Sequence, residues 1–186
     1  LYAGLEDEGA VARFDPETMS LLGKFELGRN SAGDAMFAED LAAVPGHPQR
    51  VLVSRAQYFA QLIHHSVAVY ENGVPLPSTT PFDSPGSNIL IDAPNEDPTI
   101  VFGRCVEFSD KAIRKLRLKA DGVEEVWARA PLVGGVGTEY QPAGDRIFMG
   151  SGHVYDGEVT RLQGQLEDVA RSGLVLPELD RNRVFL

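Results

Sequence analysis

Short apolar runs alternate with polar turns along the whole chain, and one arrangement of them recurs four times. In each case an apolar run leads to a proline, a polar turn follows, and a second apolar run closes the unit. The prolines are Pro45, Pro94, Pro142 and Pro177, and the closing runs are 51–53, 100–102, 147–149 and 184–186. Two β-branched or aromatic runs around such a turn predict a β-hairpin, with the proline at the end of its first strand.

A second kind of hairpin falls between these units. Its turns are Asp15-Pro16, Asn72-Gly73, Asp121-Gly122 and Asp156-Gly157. Asn-Gly and Asp-Gly favour a tight type I′ turn, because both central residues of that turn need a positive φ. Asp15 is expected to cap its own backbone. Since the two kinds of hairpin alternate, the predicted unit is a four-stranded antiparallel meander.

The spacing of the meanders favours a β-propeller. Successive prolines lie 49, 48 and 35 residues apart, and propeller blades span roughly 40 to 50 residues. One meander cannot bury both of its faces, and radial stacking of blades solves this problem. The sequence therefore predicts an all-β propeller of about four four-stranded antiparallel blades. Its approximate blades are 1–30, 38–82, 86–132, 136–170 and a partial 172–186, with innermost strands near 40–44, 88–91, 138–140 and 174–176.

Two other architectures compete with the propeller, a doubly wound α/β fold and an all-β sandwich. Only residues 57–64 and 34–41 read as helical, too few to cover the faces of a parallel sheet. An all-β sandwich stays possible, but that fold does not require the repeated meander seen in the sequence. The ends both stop within a blade, which favours an arc of a larger propeller, so the remaining blades of a parent chain are expected partners. A four-bladed ring with one strand left over is the alternative.

Charge and composition narrow the classes of partner. The 186 residues carry a formal net charge of -10, which repels phosphate backbones and excludes nucleic acid as an expected partner. The basic segment 114–119 alternates in its latter half, so it predicts a strand with Lys and Arg on its wet face. No apolar run approaches the ~18 residues of a membrane-spanning helix. Cys105 is the only cysteine and is expected to be a small buried residue.

Several segments resemble the blades of one broad family. They are "GAVARFDPETMSLLGKFELG", "EDLAAVPGHPQRVLVSR", "VAVYENGVPLP", "GVGTEYQPAGDRIFMGSGHVYDGE" and "LVLPELDRNRVFL". They resemble secreted bacterial β-propeller repeat proteins of the surface-layer, YVTN-type and lactonase-like group. The resemblance implies an exported protein, extracellular or periplasmic, although no signal peptide is visible. Quinone-binding propellers of this kind use a Trp-rich motif in each blade, so the single Trp127 disfavours a quinone cofactor.

Candidate ligand-binding residues open the predicted innermost strands, where they would meet at one mouth of a central channel. They are Glu39, Asp40, Asn88, Thr138 and Glu139. Carboxylate and amide oxygens from different blades could hold Ca²⁺ or another divalent cation. The alternative is that they solvate the channel or cap strand ends. No catalytic residue is predicted.

The histidines and the serine-containing turns carry no recognised catalytic spacing. His64 and His65 are adjacent and diverge on a strand, His47 lies in a turn, and His153 starts a strand. Ser151 lies between two glycines and two strands, so it reads as a loop residue and not as a nucleophile.

Two function classes follow from this pattern. The first is a non-catalytic exported propeller, without a cofactor, that binds a protein, glycan or small molecule or acts as a scaffold. The second is a metal-dependent, lactonase-like hydrolase with a divalent ion at the channel mouth. Acidic residues open only two or three of the predicted blades, so the sequence favours the first class.

Overall fold

A computed structural model describes residues 1–58, 62–81, 90–92, 97–104, 112–130, 139–167, 176–181 and 183–185. The described chain is all-β, as predicted, with seventeen strands and two short 3₁₀ turns at Glu6–Glu8 and Leu179–Arg181. In this described part, no helix is long and apolar enough to span a membrane.

The first sheet is an antiparallel meander of three strands. They are β1 (Tyr2–Leu5), β2 (Ala10–Phe14) and β3 (Leu21–Glu26). In the turn between β2 and β3, the Oδ1 atom of Asp15 accepts hydrogen bonds from the backbone N–H groups of Glu17 and Thr18, each at 2.9 Å. The predicted hairpin and its capping aspartate are therefore confirmed.

The second sheet has eight strands and is built from two antiparallel meanders. The first comprises β4 (Phe37–Ala43), β5 (Arg50–Tyr58), β6 (Leu62–Glu71) and β7 (Val74–Thr79). The second comprises β8 (Leu90–Asp92), β9 (Ile100–Arg104), β10 (Ile113–Lys119) and β11 (Gly122–Arg129). The strand order is β4-β5-β6-β7-β11-β10-β9-β8. The two edge strands, β4 and β8, also contact each other, so the sheet is strongly curled.

The third and fourth sheets complete the described fold. The third is the meander β12 (Tyr140–Ala143), β13 (Arg146–Met149), β14 (His153–Asp156) and β15 (Leu162–Gln165). The fourth is the hairpin of β16 (Leu176–Glu178) and β17 (Arg183–Phe185). Pro142 and Pro177 are the penultimate residues of β12 and β16, close to the strand ends at which the sequence places them. Both strands are first in their sheets, where a missing backbone N–H costs no ladder bond.

One of the three predicted Asn-Gly and Asp-Gly type I′ turns is present. Asn72 and Gly73 have φ values of 51° and 83°, as this turn requires. The prediction is wrong for Asp121-Gly122, because Gly122 already pairs with Lys119 as the first residue of β11. It is also wrong at Asp156, which closes a longer loop by accepting hydrogen bonds from Thr160.

The two stretches that read as helical contain no helix where they are described, and most of their described residues are in strands. Residues 37–41 belong to β4, and residues 57–58 and 62–64 belong to β5 and β6. Residues 59–61 lie outside the described part. Cross-strand burial overrides local helix propensity here, because Ala56 pairs with both Phe37 and His64 and all three side chains are buried.

Successive meanders pack face to face through separate apolar clusters. The first sheet meets β5 and β6 through Val11, Leu27, Met36, Val51, Val53, Ala68 and Tyr70. The two meanders of the second sheet meet through Ala42, Val44, Leu52, Val67, Val69, Val101, Leu116 and Val123. The second of these meanders meets the third sheet through Ile113, Tyr140, Ile147, Met149, Tyr155 and Val159. Strand β5 is therefore buried on both faces, since Leu52 points to one cluster and its neighbours Val51 and Val53 to the other.

Gly122 lies at the junction between β7 and β11. The only pairing between these strands is the parallel contact of Gly122 with Ser78. The Ser78 backbone N–H donates to the Asp121 carbonyl at 2.9 Å, and its hydroxyl donates to the Asp121 carboxylate at 2.8 Å. A Cβ atom on Gly122 would lie 2.0 Å from the Ser78 carbonyl oxygen, and φ is +140°. Only glycine fits this close approach of two backbones.

Glu158 links the second sheet to the third. Its carboxylate accepts hydrogen bonds from Lys115 Nζ at 2.6 Å and Trp127 Nε1 at 2.7 Å. The Arg129 guanidinium donates to its backbone carbonyl and lies 4.9 Å from the centre of the Trp127 ring. The Lys115 hydrogen bond holds the pKa of Glu158 below its usual range. The carboxylate therefore contributes stability above its unfolded-state pKa, and this contribution is lost as the pH falls through the folded-state pKa.

Substituting Gly122→Ala should destabilise the fold by about 2–4 kcal/mol, because the new methyl group forces β7 and β11 apart. Urea unfolding would measure this change. The matched control is Gly23→Ala, whose Cβ would meet nothing within 4 Å and which should change stability by less than about 1 kcal/mol. Equal effects of the two variants would contradict the role of the junction.

Substituting Glu158→Gln should lower the unfolding free energy by about 1 kcal/mol at neutral pH, since a half-exposed carboxylate loses two charge-assisted hydrogen bonds. The loss should shrink in acid, where the wild-type carboxylate is itself protonated. Chemical unfolding at neutral and acidic pH tests both statements, with the exposed Glu17→Gln as control. A loss that is the same at both pH values would argue against the ionic link.

Candidate functional site

Two of the predicted ligand-binding residues lie side by side in β4. The register of β4 against β5 shifts between Ala38 and Asp40, which makes Glu39 the extra residue of a β-bulge. Asp40 lies opposite Ser54, and its Oδ1 accepts a hydrogen bond from the Leu41 backbone N–H at 2.8 Å. Both carboxylates are half-buried.

Glu139, the third predicted residue that the structure describes, takes part in an ion pair. Its Oε2 atom lies 2.7 Å from Nη1 of Arg104, at the end of β9. This pair connects the second sheet to the start of the third. Asn88 and Thr138 lie outside the described residues. Among those that are described, no group of three or more His, Cys, Asp and Glu side chains could hold a metal ion.

A group of buried polar side chains, which was not predicted from the sequence as a group, surrounds the β5–β6 hairpin. Its members are Ser54, Arg55, Gln57, His64, Ser66 and Arg114. Strand β5 changes from apolar at residues 51–53 to polar at Ser54, Arg55 and Gln57, and both of its faces are covered. That change of polarity inside a predicted strand was the available signal, but only the packing of neighbouring sheets shows that these residues are buried.

On one face of β5 the group centres on His64. The ring is fully buried, its Nδ1 lies 3.4 Å from the Ser54 hydroxyl, and its Nε2 has no hydrogen-bond partner. Burial, assisted by the nearby guanidinium of Arg114, lowers the pKa of His64 to about 3. Arg114 forms an ion pair with Glu125 at 2.6 Å. His64 is therefore a neutral ring of the core at neutral pH.

On the opposite face the group centres on Arg55, which is only 9% exposed. The guanidinium donates to the Ser66 hydroxyl at 2.5 Å and to the Tyr70 hydroxyl at 3.4 Å. Tyr70 in turn donates to the Leu27 carbonyl at 3.1 Å. His65 Nδ1 lies 3.0 Å from the Ser66 hydroxyl, and burial together with Arg55 lowers the pKa of His65.

The remaining histidines and Ser151 are placed as the sequence predicts. His47 is exposed in the β4–β5 turn, and His153 begins β14. The Ser151 hydroxyl lies 3.0 Å from His153 Nδ1, a contact that a nucleophile and its base would also make. However, the N–H groups of Gly150 and Gly152 donate to backbone carbonyls, so neither is available to stabilise an oxyanion.

The basic segment 114–119 forms β10, as predicted, and its exposure is partly as predicted. Arg117 and Lys119 are exposed, whereas Arg114 is buried. The prediction fails at Arg114 because this residue lies on the same face of β10 as Leu116 and Leu118, which pack into the apolar cluster of the second sheet. Cross-strand contacts with Glu124 balance the two exposed cations. Cys105 lies outside the described residues.

Two open grooves lie beside the third sheet. The first, of about 650 Å³, runs between the third and fourth sheets and is lined by side chains that include Arg146, Phe148, Arg183 and Val184. The second, of about 520 Å³, lies between β9–β10 and the third sheet, next to Glu158. Both volumes are in the range of small-molecule sites.

The lowered pKa of His64 should make the fold less stable as the pH falls from about 6.5 toward 3, because the unfolded chain binds a proton that the folded chain does not. One such proton contributes at most about 1.4 kcal/mol per pH unit. Substituting His64→Gln should remove the His64 contribution to this slope between about pH 4.5 and 6.5 and leave the contribution of His65, as urea unfolding would show. The steeper loss at lower pH, which comes from carboxylates, serves as the internal control. An unchanged slope in the variant would count against a neutral buried His64.

Comparisons with known proteins leave the functional assignment to the geometry. No protein-family model matches the chain, and no curated protein matches it. The family resemblance and the function that it implies therefore stay predictions. The evidence on function is therefore the fold, the buried polar group and the two grooves.

Proposed function

We propose that the chain is an arc of a β-propeller and acts as a non-catalytic binding or scaffold module. The observation that carries this proposal is the face-to-face packing of successive antiparallel meanders through clusters at each interface. The first strands of successive sheets also lie next to each other, with contacts of β4 to both β1 and β8 and of β12 to β16. Blades around an axis would place their innermost strands in this way.

The settings of the carboxylates favour binding over catalysis. Asp40 accepts a hydrogen bond from the backbone of its own strand, and Glu139 pairs with Arg104. Such interactions stabilise strand ends and join neighbouring sheets. The two grooves beside the third sheet offer surfaces on which a protein, a glycan or a small molecule could bind.

A metal-dependent, lactonase-like hydrolase is the second candidate. The observation in its favour is the pair of adjacent, half-buried carboxylates of Glu39 and Asp40 on β4. In this function they would supply oxygen ligands to Ca²⁺ or another divalent ion, with further ligands from other blades. The family resemblance is also the basis for proposing an exported protein joined to further blades.

Calorimetric titration of the chain with Ca²⁺ distinguishes the two functions. The binding-module proposal predicts no saturable heat that depends on Glu39 and Asp40, and no hydrolysis of a lactone substrate. Tight binding that is lost in the double variant Glu39→Gln/Asp40→Asn would replace it with the metal-dependent function. Asp145→Asn is the matched control, because that carboxylate is 89% exposed and lies outside the proposed site.

A further inference from the structure

Arg55 is a buried cation whose partners are all neutral. Its guanidinium contacts two hydroxyl groups, those of Ser66 and Tyr70. Its Nε atom is buried and has no hydrogen-bond partner, and no carboxylate of the described residues forms an ion pair with it. An uncompensated charge inside a protein is costly, so buried arginines are normally paired with an anion.

The other charges of the polar group do not compensate Arg55. On the opposite face of the sheet, the nearby cation Arg114 already has Glu125 as its partner. The neighbouring rings of His64 and His65 both have pKa values lowered by burial and, to a smaller extent, by the charge of Arg55.

The surroundings of Arg55 are preorganised for an acceptor. The Tyr70 hydroxyl donates its hydrogen to the Leu27 carbonyl, so its oxygen acts as an acceptor toward the Arg55 guanidinium. Two residues along β5, Gln57 accepts a hydrogen bond from Asn30 at 2.5 Å. Asn30 and His65 are half-buried, so the polar end of this interface extends from Arg55 toward solvent.

We infer that Arg55 binds the carboxylate group of a small-molecule ligand in the interface between the first sheet and the β5–β6 hairpin. A guanidinium presents a planar pair of donors that matches the two oxygens of a carboxylate. The single negative charge of a carboxylate also balances the single charge of Arg55, whereas a phosphate dianion would leave a buried negative charge. This site goes beyond the proposed function and does not depend on a propeller arrangement.

Thermal unfolding in sodium acetate, compared with sodium chloride at equal ionic strength, tests the site on the full chain. Acetate should raise the wild-type Tm in a saturable way, because a ligand that binds only the folded state stabilises it. Arg55→Lys keeps the charge but loses the paired donors, so its half-saturating acetate concentration should rise at least about tenfold. The exposed Arg117→Lys is the matched control and should respond like the wild type. Inorganic phosphate should raise the wild-type Tm less than acetate does.

Two results would overturn the inference: equal Tm values of the wild type in acetate and chloride, or an equal acetate response in Arg55→Lys. If Arg55→Lys does not fold, nuclear magnetic resonance of the wild type decides the question. The imidazole signals of His65 should then shift saturably with acetate and not with chloride, and unchanged signals would refute the site. These results are independent of the Ca²⁺ titration, which addresses the carboxylates of β4.

Discussion

The burial of β5 on both faces is the constraint on which the rest of the described structure depends. Leu52 packs toward the second meander of its sheet, while Val51 and Val53 pack toward the first sheet. A single antiparallel meander leaves one face to solvent, so this strand requires a neighbouring layer on each side. The second meander of this sheet also requires a neighbouring layer, because its far face packs against the third sheet. Each of these interfaces buries apolar side chains that a single sheet would expose to solvent.

Contacts between meanders follow from this layered arrangement and differ in kind. Within the second sheet, Gly122 allows the backbones of its two meanders to approach closely. Between the second and third sheets, Glu158 and Glu139 form ion pairs and hydrogen bonds. The apolar clusters supply most of the cohesion because hydrophobic burial scales with area. The polar contacts fix which strands meet, since an ion pair or a backbone contact has a defined geometry and an apolar surface does not.

Local sequence signals predicted the strands well and the interiors poorly. The Asn72-Gly73 turn and the Asp15 cap depend on residues close in sequence, so the sequence was sufficient for both. The Asp121-Gly122 turn failed because Gly122 serves a contact with Ser78, 44 residues earlier. Residues 37–41 read as helical because propensity does not include cross-strand burial. The burial of Arg55 was missed because polar residues in a strand read as its wet face unless both faces are known to be covered. His64 was considered, but it fell in the stretch 57–64 that read as helical.

The position of the polar group explains how a fold with a thin core tolerates buried cations. Arg55 and His64 lie on opposite faces of the β5–β6 hairpin. The charged guanidinium and the titratable ring therefore face different interfaces. Holding His64 neutral limits the group to one cation per face, Arg55 on one and the Glu125-paired Arg114 on the other. The face with the paired arginine is balanced within the chain. The face with Arg55 is not, and it adjoins half-buried polar side chains, which is the arrangement expected of a surface that binds an anion from outside.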